Sequence, residues 1–432
     1  MSKSKKAKLR SPSGMHDILP RDQKYYRIVY KAAKSIADFY RFGQINTPIV
    51  EDLELFSKGT GESTDIVQKQ MFVLKSRGGK NLALRPEGTP SIVRSYLEHG
   101  MSSYPQPVKL WYFGSYFRYE RPQAGRFRQF RQLGFEVLGD QGAAIDAQII
   151  QIFHSVLESM KLEDLVIEIN SIGDYQCRPY YKKLLVNYFR SRQSSLCSDC
   201  RRRLKQNPLR ILDCKEEKCQ RIIKSAPQII DHLCKDCHDH FKEVLEFLDD
   251  LGLPYHLNPY LVRGLDYYTK TVFEIFQLEK QKEDSEKTVR NALAGGGRYD
   301  NLAKVLGGKE VPACGGAMGV ERIIEIIKNS KFSVKKAKKP KVFLAQLGKR
   351  AKRLSLKLME DFRKDNVFVA QVLTKDSLKS QLKAADRLGV KYALILGQKE
   401  VIEGEILVRN MKTGKQKTVK INRIVKTIKK KI

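Results

Sequence analysis

No run of about 18 consecutive apolar residues occurs in this 432-residue chain, so no segment is long enough to cross a bilayer as a helix. The opening stretch, MSKSKKAKLRSPSG, is basic but lacks the apolar centre of a secretory signal. A cytoplasmic setting is therefore expected, where the eight cysteines serve as thiols or metal ligands rather than disulfides. The seven histidines never fall at HExxH spacing, which removes one common catalytic zinc site. No internal repeat is present, and no low-complexity tract beyond the basic ends. Acidic residues are scarce: 48 Asp and Glu stand against 81 Lys and Arg, a net charge of +33.

That imbalance is uneven. Residues 331–432 carry 29 basic and 8 acidic side chains, a net of +21, a density that suits a polyanionic partner, nucleic acid first. The length accommodates two or three domains. YYRIVYKAAKSIADFYRFG (25–43) has helical apolar spacing and ends at a glycine. INTPIVEDLELF (45–56) follows as an extended edge or interface segment, given Pro48. LALRPEGTPSIVRSYLEHG (82–100) predicts strand, turn and helix, with Thr89 as N-cap and Pro90 first in the helix. Residues 174–250 form a cysteine-containing, mostly helical section. After the lysine-rich linker 331–341, residues 342–432 alternate strand and helix as a small α/β domain does.

Two stretches carry the chemistry. In LVRGLDYYTKTVFEIF (261–276) a half-buried strand pattern follows Arg263 and Asp266, three residues apart among apolar neighbours. The structural reading of that guanidinium is a buried Arg263–Asp266 pair, which adds little net stability. In VKLWYFGSYFRYERPQAGRFRQFRQLGFEVLG (108–139) two extended runs flank a turn. Read with period two, Phe127, Leu133, Phe135 and Val137 share one face, and Arg126, Arg128, Phe130, Gln132 and Glu136 the other. An antiparallel hairpin of this kind sets arginines, an aromatic ring, an amide and a carboxylate on one polar floor. Such a floor could grip phosphate, stack on a base and hold a small polar substrate.

The hairpin FRYERPQAGRFRQF resembles motif 2 of the class II aminoacyl-tRNA synthetases. GGAMGVERIIEII (315–327) resembles motif 3, and residues 25–56 fit the looser motif 1. LVRGLDYYTKTVFE and AGGGRYDNL (294–302) resemble the two signature peptides of the histidyl-tRNA synthetase family, and RPEGTPSIVR and SLKSQLKAADRLG (377–389) also fit it. The resemblance spans nearly the whole chain. It implies an α+β catalytic domain with an antiparallel sheet over 1–330, interrupted by the helical insertion 174–250, and a C-terminal α/β anticodon-binding domain over 342–432. It implies an ATP- and Mg²⁺-dependent ligase that forms histidyl-adenylate and transfers histidine to its tRNA, working as a homodimer with no membrane association. Arg263 and Arg118 would be the catalytic cations at the α-phosphate. Glu87, Thr89, Gln132, Glu136, Arg263, Tyr267, Tyr268, Gly295, Gly296 and Gly297 would bind histidine, with Glu136 and Tyr268 bracketing the imidazole and the glycines admitting close backbone approach. Arg118, Glu120, Arg126, Phe130, Gly319 and Arg322 would bind ATP, and Arg121 and Gln123 would meet the tRNA acceptor end. The competing reading is a catalytically inactive relative that regulates histidine biosynthesis or senses tRNA. Such relatives tend to lose catalytic arginines or the C-terminal domain, and this chain keeps both.

The cysteines stand apart, since zinc is not general in that family. Cys197-x2-Cys200, Cys214-x4-Cys219 and Cys234-x2-Cys237 offer six candidate ligands for one tetrahedral Zn²⁺. The two Cys-x2-Cys pairs, Cys197, Cys200, Cys234 and Cys237, are the favoured set. Cys177 and Cys314 read as core, and His238 and His240 as spare ligands.

Overall fold

The computed structural model describes residues 9–122, 125–278, 292–330 and 339–432, which fall into two compact units, Met1–Val334 and Lys335–Ile432. Gln123 and most of the expected linker lie outside the described residues.

The first unit is built on an eight-stranded mixed sheet. Its strands are β1 (Gly43–Gln44), β5 (Val108–Phe117), β6 (Gln129–Leu138), β7 (Leu165–Ser171), β8 (Tyr255–Leu257), β9 (Thr269–Gln277), β10 (Ala294–Arg298) and β11 (Ala313–Gly319). A small antiparallel sheet of β2 (Val50–Asp52), β3 (Phe72–Lys75) and β4 (Asn81–Leu84) lies beside it in sequence. The large sheet runs β1-β5-β6-β11-β10-β9-β7-β8, antiparallel throughout its centre and parallel only at its two edge pairs. Period two sorts β6 as the sequence predicts: Leu133, Phe135 and Val137 enter the core under helices Gln23–Phe39, Ala143–Ser159 and Val320–Asn329. Each helix delivers a spaced apolar stripe, such as Val29, Ala33 and Ala37, or Val320, Ile323, Ile324 and Ile327.

Two local expectations change. LELF in the presumed extended segment opens the helix Leu53–Thr60, because only Val50–Asp52 finds a strand partner. Thr89 is the first residue of the helix Thr89–Glu98 rather than its cap, and its hydroxyl donates to Glu136 instead (2.8 Å).

The glycines of β10 and β11 set how closely the central strands approach. A Cβ on Gly296 would lie 2.2 Å from the carbonyl oxygen of Gly315 on the neighbouring strand, a clash between backbones with no flexible side chain to yield. Behind them Arg298, fully buried, donates to Asp146 and to the carbonyls of Asp140 and Gly142. His240 adds a second contact to Asp146 at 2.8 Å, so this histidine is committed to the clamp and not to a metal.

The second unit has a five-stranded sheet in the order β13-β12-β14-β15-β16: β12 (Val342–Gln346), β13 (Val369–Gln371), β14 (Tyr392–Leu396), β15 (Glu405–Asn410) and β16 (Gln416–Lys420). The first three are parallel, joined through helices Gly348–Lys364 and Leu378–Leu388. Val342 and Leu344 pack into one core, Phe343 and Ala345 into the other, as a sheet covered on both faces requires. The closing hairpin β15–β16 was not read from the sequence, because its polar residues carry little alternation. No helix among the described residues is long and apolar enough to cross a membrane.

Candidate active site

The sheet order brings together what the sequence keeps apart. One cross-strand row runs Tyr112, Gly134, Ala317, Gly295, Glu274, from β5 through β6, β11 and β10 to β9. The middle of that row is nearly bare of side chains, so a cavity opens there between Tyr112 and Glu274. The β5–β6 hairpin supplies Phe130 and Gln132, and its loop Arg118, Glu120 and Arg126. The turn before helix Thr89–Glu98 brings Glu87 and Thr89, the segment ahead of β9 brings Arg263, Tyr267 and Tyr268, and the β11–helix junction brings Gly319 and Arg322.

Glu87 is buried and accepts from Thr60 Oγ1 and the Tyr267 hydroxyl, each at 2.7 Å. Burial pushes its carboxyl pKa up, against those hydrogen bonds and the nearby Arg118 and Arg263. Arg118, which donates to the carbonyl of Pro86 beside Glu87 (3.0 Å), and Arg322, which donates to that of Ala292 (2.8 Å), have only backbone carbonyls as partners among the described residues. Burial, and then the guanidinium of Arg126, hold Arg322 below its ordinary pKa. Two guanidiniums without carboxylates in a partly desolvated cleft form an anion site. The Arg118 guanidinium lies 5.5 Å from the Phe130 ring centre.

Arg263 lines the same cavity. Its partner is Glu274 on β9, not Asp266, which instead accepts from Ser63 (2.7 Å) and Asn207 (2.9 Å). Burial works against the Arg263 charge, and Glu274 together with Tyr268 and Tyr267 more than offsets it, so the guanidinium stays firmly protonated. It lies flat on Gly295, where an added Cβ would come within 2.6 Å of Nη1. Its Nε and the Gln132 Oε1 are buried without hydrogen-bond partners among the described residues, two polar atoms left for something bound in the cavity.

Three sequence expectations take a different place. Glu136 is not on the cavity wall: its buried carboxylate is held behind it by Thr89, Tyr112 (3.3 Å) and Tyr299 (2.5 Å). Gly296 and Gly297 do not line the cavity, and a Cβ on either would meet the backbone of Gly315 or Thr271, so strand packing requires them. Arg121 is exposed on the hairpin loop, and Gln123 lies outside the described residues. Sequence reasoning missed Glu274, Tyr112, Thr60 and Tyr299. Only Glu274 carried a signal, as the lone acid inside the apolar run TVFEIF.

Burial pushes the Glu136 carboxyl up to about 8, opposed by hydrogen bonds from Tyr299, Thr89 and Tyr112. From its ordinary value of 4.5 to about 8, the folded protein therefore keeps a proton that the unfolded chain has lost. Its contribution to stability is fully present below that window and declines as pH rises through it. The stability difference between wild type and Glu136→Gln should fall by up to about 1.4 kcal/mol per pH unit across this range. Urea denaturation of both proteins at pH 5, 6, 7 and 8 checks this; parallel profiles would contradict it.

The cysteines do not form the expected single site. Cys197 and Cys200 join Cys214 and Cys219, whereas Cys234 and Cys237 join Asp174 and Cys177, and within each group the ligand atoms lie within 4.8 Å of one another. The favoured mixed set is excluded because its two pairs belong to different clusters, and Cys177 is a cluster member, not core filling. Cys314 is buried and in neither cluster; His238 is exposed and pairs with Asp239 (3.2 Å). Either cluster could hold a metal ion.

A cleft lined by a buried carboxylate and by arginines without carboxylate partners among the described residues, with a mostly antiparallel sheet as floor, fits a class II aminoacyl-tRNA synthetase. The family model for histidyl-tRNA synthetase matches residues 14–323, and that for the anticodon-binding domain matches 341–431. Relatives named Histidine--tRNA ligase from Dehalococcoides mccartyi and Halothermothrix orenii are 44% and 42% identical, each alignment covering 98% of this chain and 99% of the relative. The apo crystal structure of S. aureus histidyl-tRNA synthetase superposes with a TM-score of 0.78 at 33% identity, over 98% of this chain and 100% of that one. The chain belongs to the histidyl-tRNA synthetase family, and it is a histidine–tRNA ligase rather than an inactive regulator, a reading that nothing in these comparisons favours.

Proposed function

We propose that histidine binds at Glu87 and ATP, as its magnesium complex, beside Phe130 and Arg322, with Arg118 and Arg263 where the two react. Glu87 receives the α-ammonium group and Gln132 supports it, while Tyr268 faces the imidazole. Phe130 stacks on adenine, Arg126, Glu120 and Gly319 complete the nucleotide side, and Arg118 and Arg322 hold the phosphates. A histidine carboxylate oxygen attacks the α-phosphorus, the bond to pyrophosphate breaks, and histidyl-adenylate remains. A terminal ribose hydroxyl of the tRNA then attacks the acyl carbon and AMP leaves. The enzyme supplies no covalent step, only alignment and charge.

The observation that carries this reading is the charge of one cavity: a buried carboxylate, Glu87, and two arginines without carboxylate partners among the described residues line it together. Calorimetric titration tests it. Glu87→Gln should weaken histidine binding at least about tenfold, the worth of a buried hydrogen bond to a charged group. Unchanged histidine affinity would remove Glu87 from the site.

The acceptor end of the tRNA is placed over the hairpin loop, near Arg121. The insertion binds Zn²⁺ as a structural ion. The active form is a homodimer, supported by large apolar side chains left in solvent on and beside the small sheet: Ile49, Val50, Val73 and Leu74, and the 78%-exposed Phe39 at the end of the first helix. Sedimentation equilibrium should give twice the chain mass, and a fully active monomer would contradict it.

A further inference from the structure

We propose that the insertion carries two separate zinc sites, Cys197/Cys200/Cys214/Cys219 and Asp174/Cys177/Cys234/Cys237, and that together they brace the segment Arg263–Tyr268 from two sides. This rests on the ligase reading above and adds to it what holds the reactive arginine in place.

Geometry speaks for metal first. Zn–S bonds of about 2.3 Å put the sulfurs of a regular tetrahedron about 3.8 Å apart. Cys197 and Cys214 are 3.8 Å apart in the first cluster, and Cys177 and Cys234 are 3.8 Å apart in the second. A disulfide would require about 2.05 Å. Both Cys-x2-Cys pairs open a helix: Cys197 precedes Ser198–Gln206, and Cys234 precedes Lys235–Asp250. Backbone N–H groups already point at sulfur, from Cys200 to Cys197, from Cys197 to Cys219 and from Asp174 to Cys177, at 3.3, 3.3 and 3.4 Å. All-thiolate and thiolate-rich tetrahedral sites select Zn²⁺ among the common divalent ions.

The surrounding chain needs such a staple. Between the two longer helices the insertion is folded from pieces of 3, 9, 4, 7 and 4 residues, none stable as a helix alone. The pieces nearest the sulfurs bury little: Ser198–Gln206 buries only Cys200 and Leu204, and Glu217–Ile223 only Cys219 and Ile223. Metal binding would add folding free energy where these pieces bury least.

Each cluster then passes its rigidity to the active-site segment through one arginine. Arg210, four residues before Cys214, donates to the Gly264 carbonyl and to Asp65, both at 3.0 Å. Asn207 beside it holds Asp266 at 2.9 Å. In the second cluster Arg178, the residue after Cys177, donates to the carbonyls of Ile172 (3.1 Å) and Tyr268. The first cluster therefore grips the segment just after Arg263, and the second grips its far end. Arg178 and Arg210 are positioning residues: neither is directed at the reacting atoms, and each acts through the loop it holds.

Metal analysis of protein purified without added zinc should find two zinc ions per chain, with one left in Cys214→Ser and one left in Cys234→Ser. Should either variant fail to fold, cobalt exchanged into wild type gives the same answer. Thiolate-to-cobalt absorption in about a 4:3 ratio from two independently filling sites is expected for the S₄ and S₃O sets. For the bracing, Arg210→Lys should keep both zinc ions and histidine KM while lowering kcat for histidine-dependent pyrophosphate exchange about tenfold or more. One zinc, no zinc, or iron with labile sulfide would overturn the two-site assignment. Normal kcat in Arg210→Lys with both ions bound would overturn the bracing. A wild-type protein with two zinc ions but no histidine-dependent exchange would fault the ligase reading instead, since the metal count does not depend on it.

Discussion

Arg263→Ala should lower kcat for histidyl-adenylate formation by about 10² or more, roughly 2.7 kcal/mol of lost transition-state stabilisation, while histidine binding changes far less. The guanidinium lines the cavity with the buried Glu87, Arg118 and Arg322, paired with Glu274 yet with Nε unused. Negative charge builds on the α-phosphate oxygens as the pentavalent transition state forms, and a fixed cation in a site that excludes water stabilises that charge more than it does the ground state. Losing the side chain also takes from the half-buried Glu274 its ion-pair partner, so folding must be checked by circular dichroism. Gly295→Ala is the companion test: its methyl would occupy the space of the guanidinium without removing the charge. It should reproduce much of the kcat loss. Near-normal turnover in a folded Arg263→Ala protein would reduce Arg263 to a structural partner of Glu274.

Removing residues 335–432 should abolish efficient tRNA charging and leave much of the histidine-dependent exchange intact. The two activities separate because the two units have separate cores, and the described residues that line the cavity belong to the first. The second unit has the fold of an anticodon-binding domain and carries the densest positive charge in the chain. Lysine contacts to phosphate release condensed counterions, so tRNA affinity of the full protein should also fall steeply with salt. Base identity has to come from stacking and edge contacts, because charge carries no sequence information. Aminoacylation kinetics and exchange measured side by side decide the point. A truncated protein that charges tRNA as well as the full chain would contradict it.

Where the sequence was readable, one period ruled. The β6 strand alternates cleanly, so both its core face and its cavity face were legible, and β12 to β14 were legible through their apolar runs between helices. What stayed hidden depended on distance in space. Arg263 has an acid three residues away in sequence, but the segment turns Asp266 toward Asn207, and the true partner arrives from β9. Glu136 shares its strand face with Gln132, yet the row of small residues in front of it lets Tyr112 swing across and cover it. Spacing identified the cysteine pairs, but two identical Cys-x2-Cys pairs give no sign that each will find its remaining ligands elsewhere, one of them a cysteine that looked like core.

The central claim is that this cavity activates histidine and no other amino acid. Exchange of labelled pyrophosphate into ATP, measured with each of the twenty amino acids in turn, tests it most directly. The account predicts exchange with histidine and, for the rest, rates near background. Exchange supported equally by another amino acid, or by none including histidine in a folded protein, would contradict it.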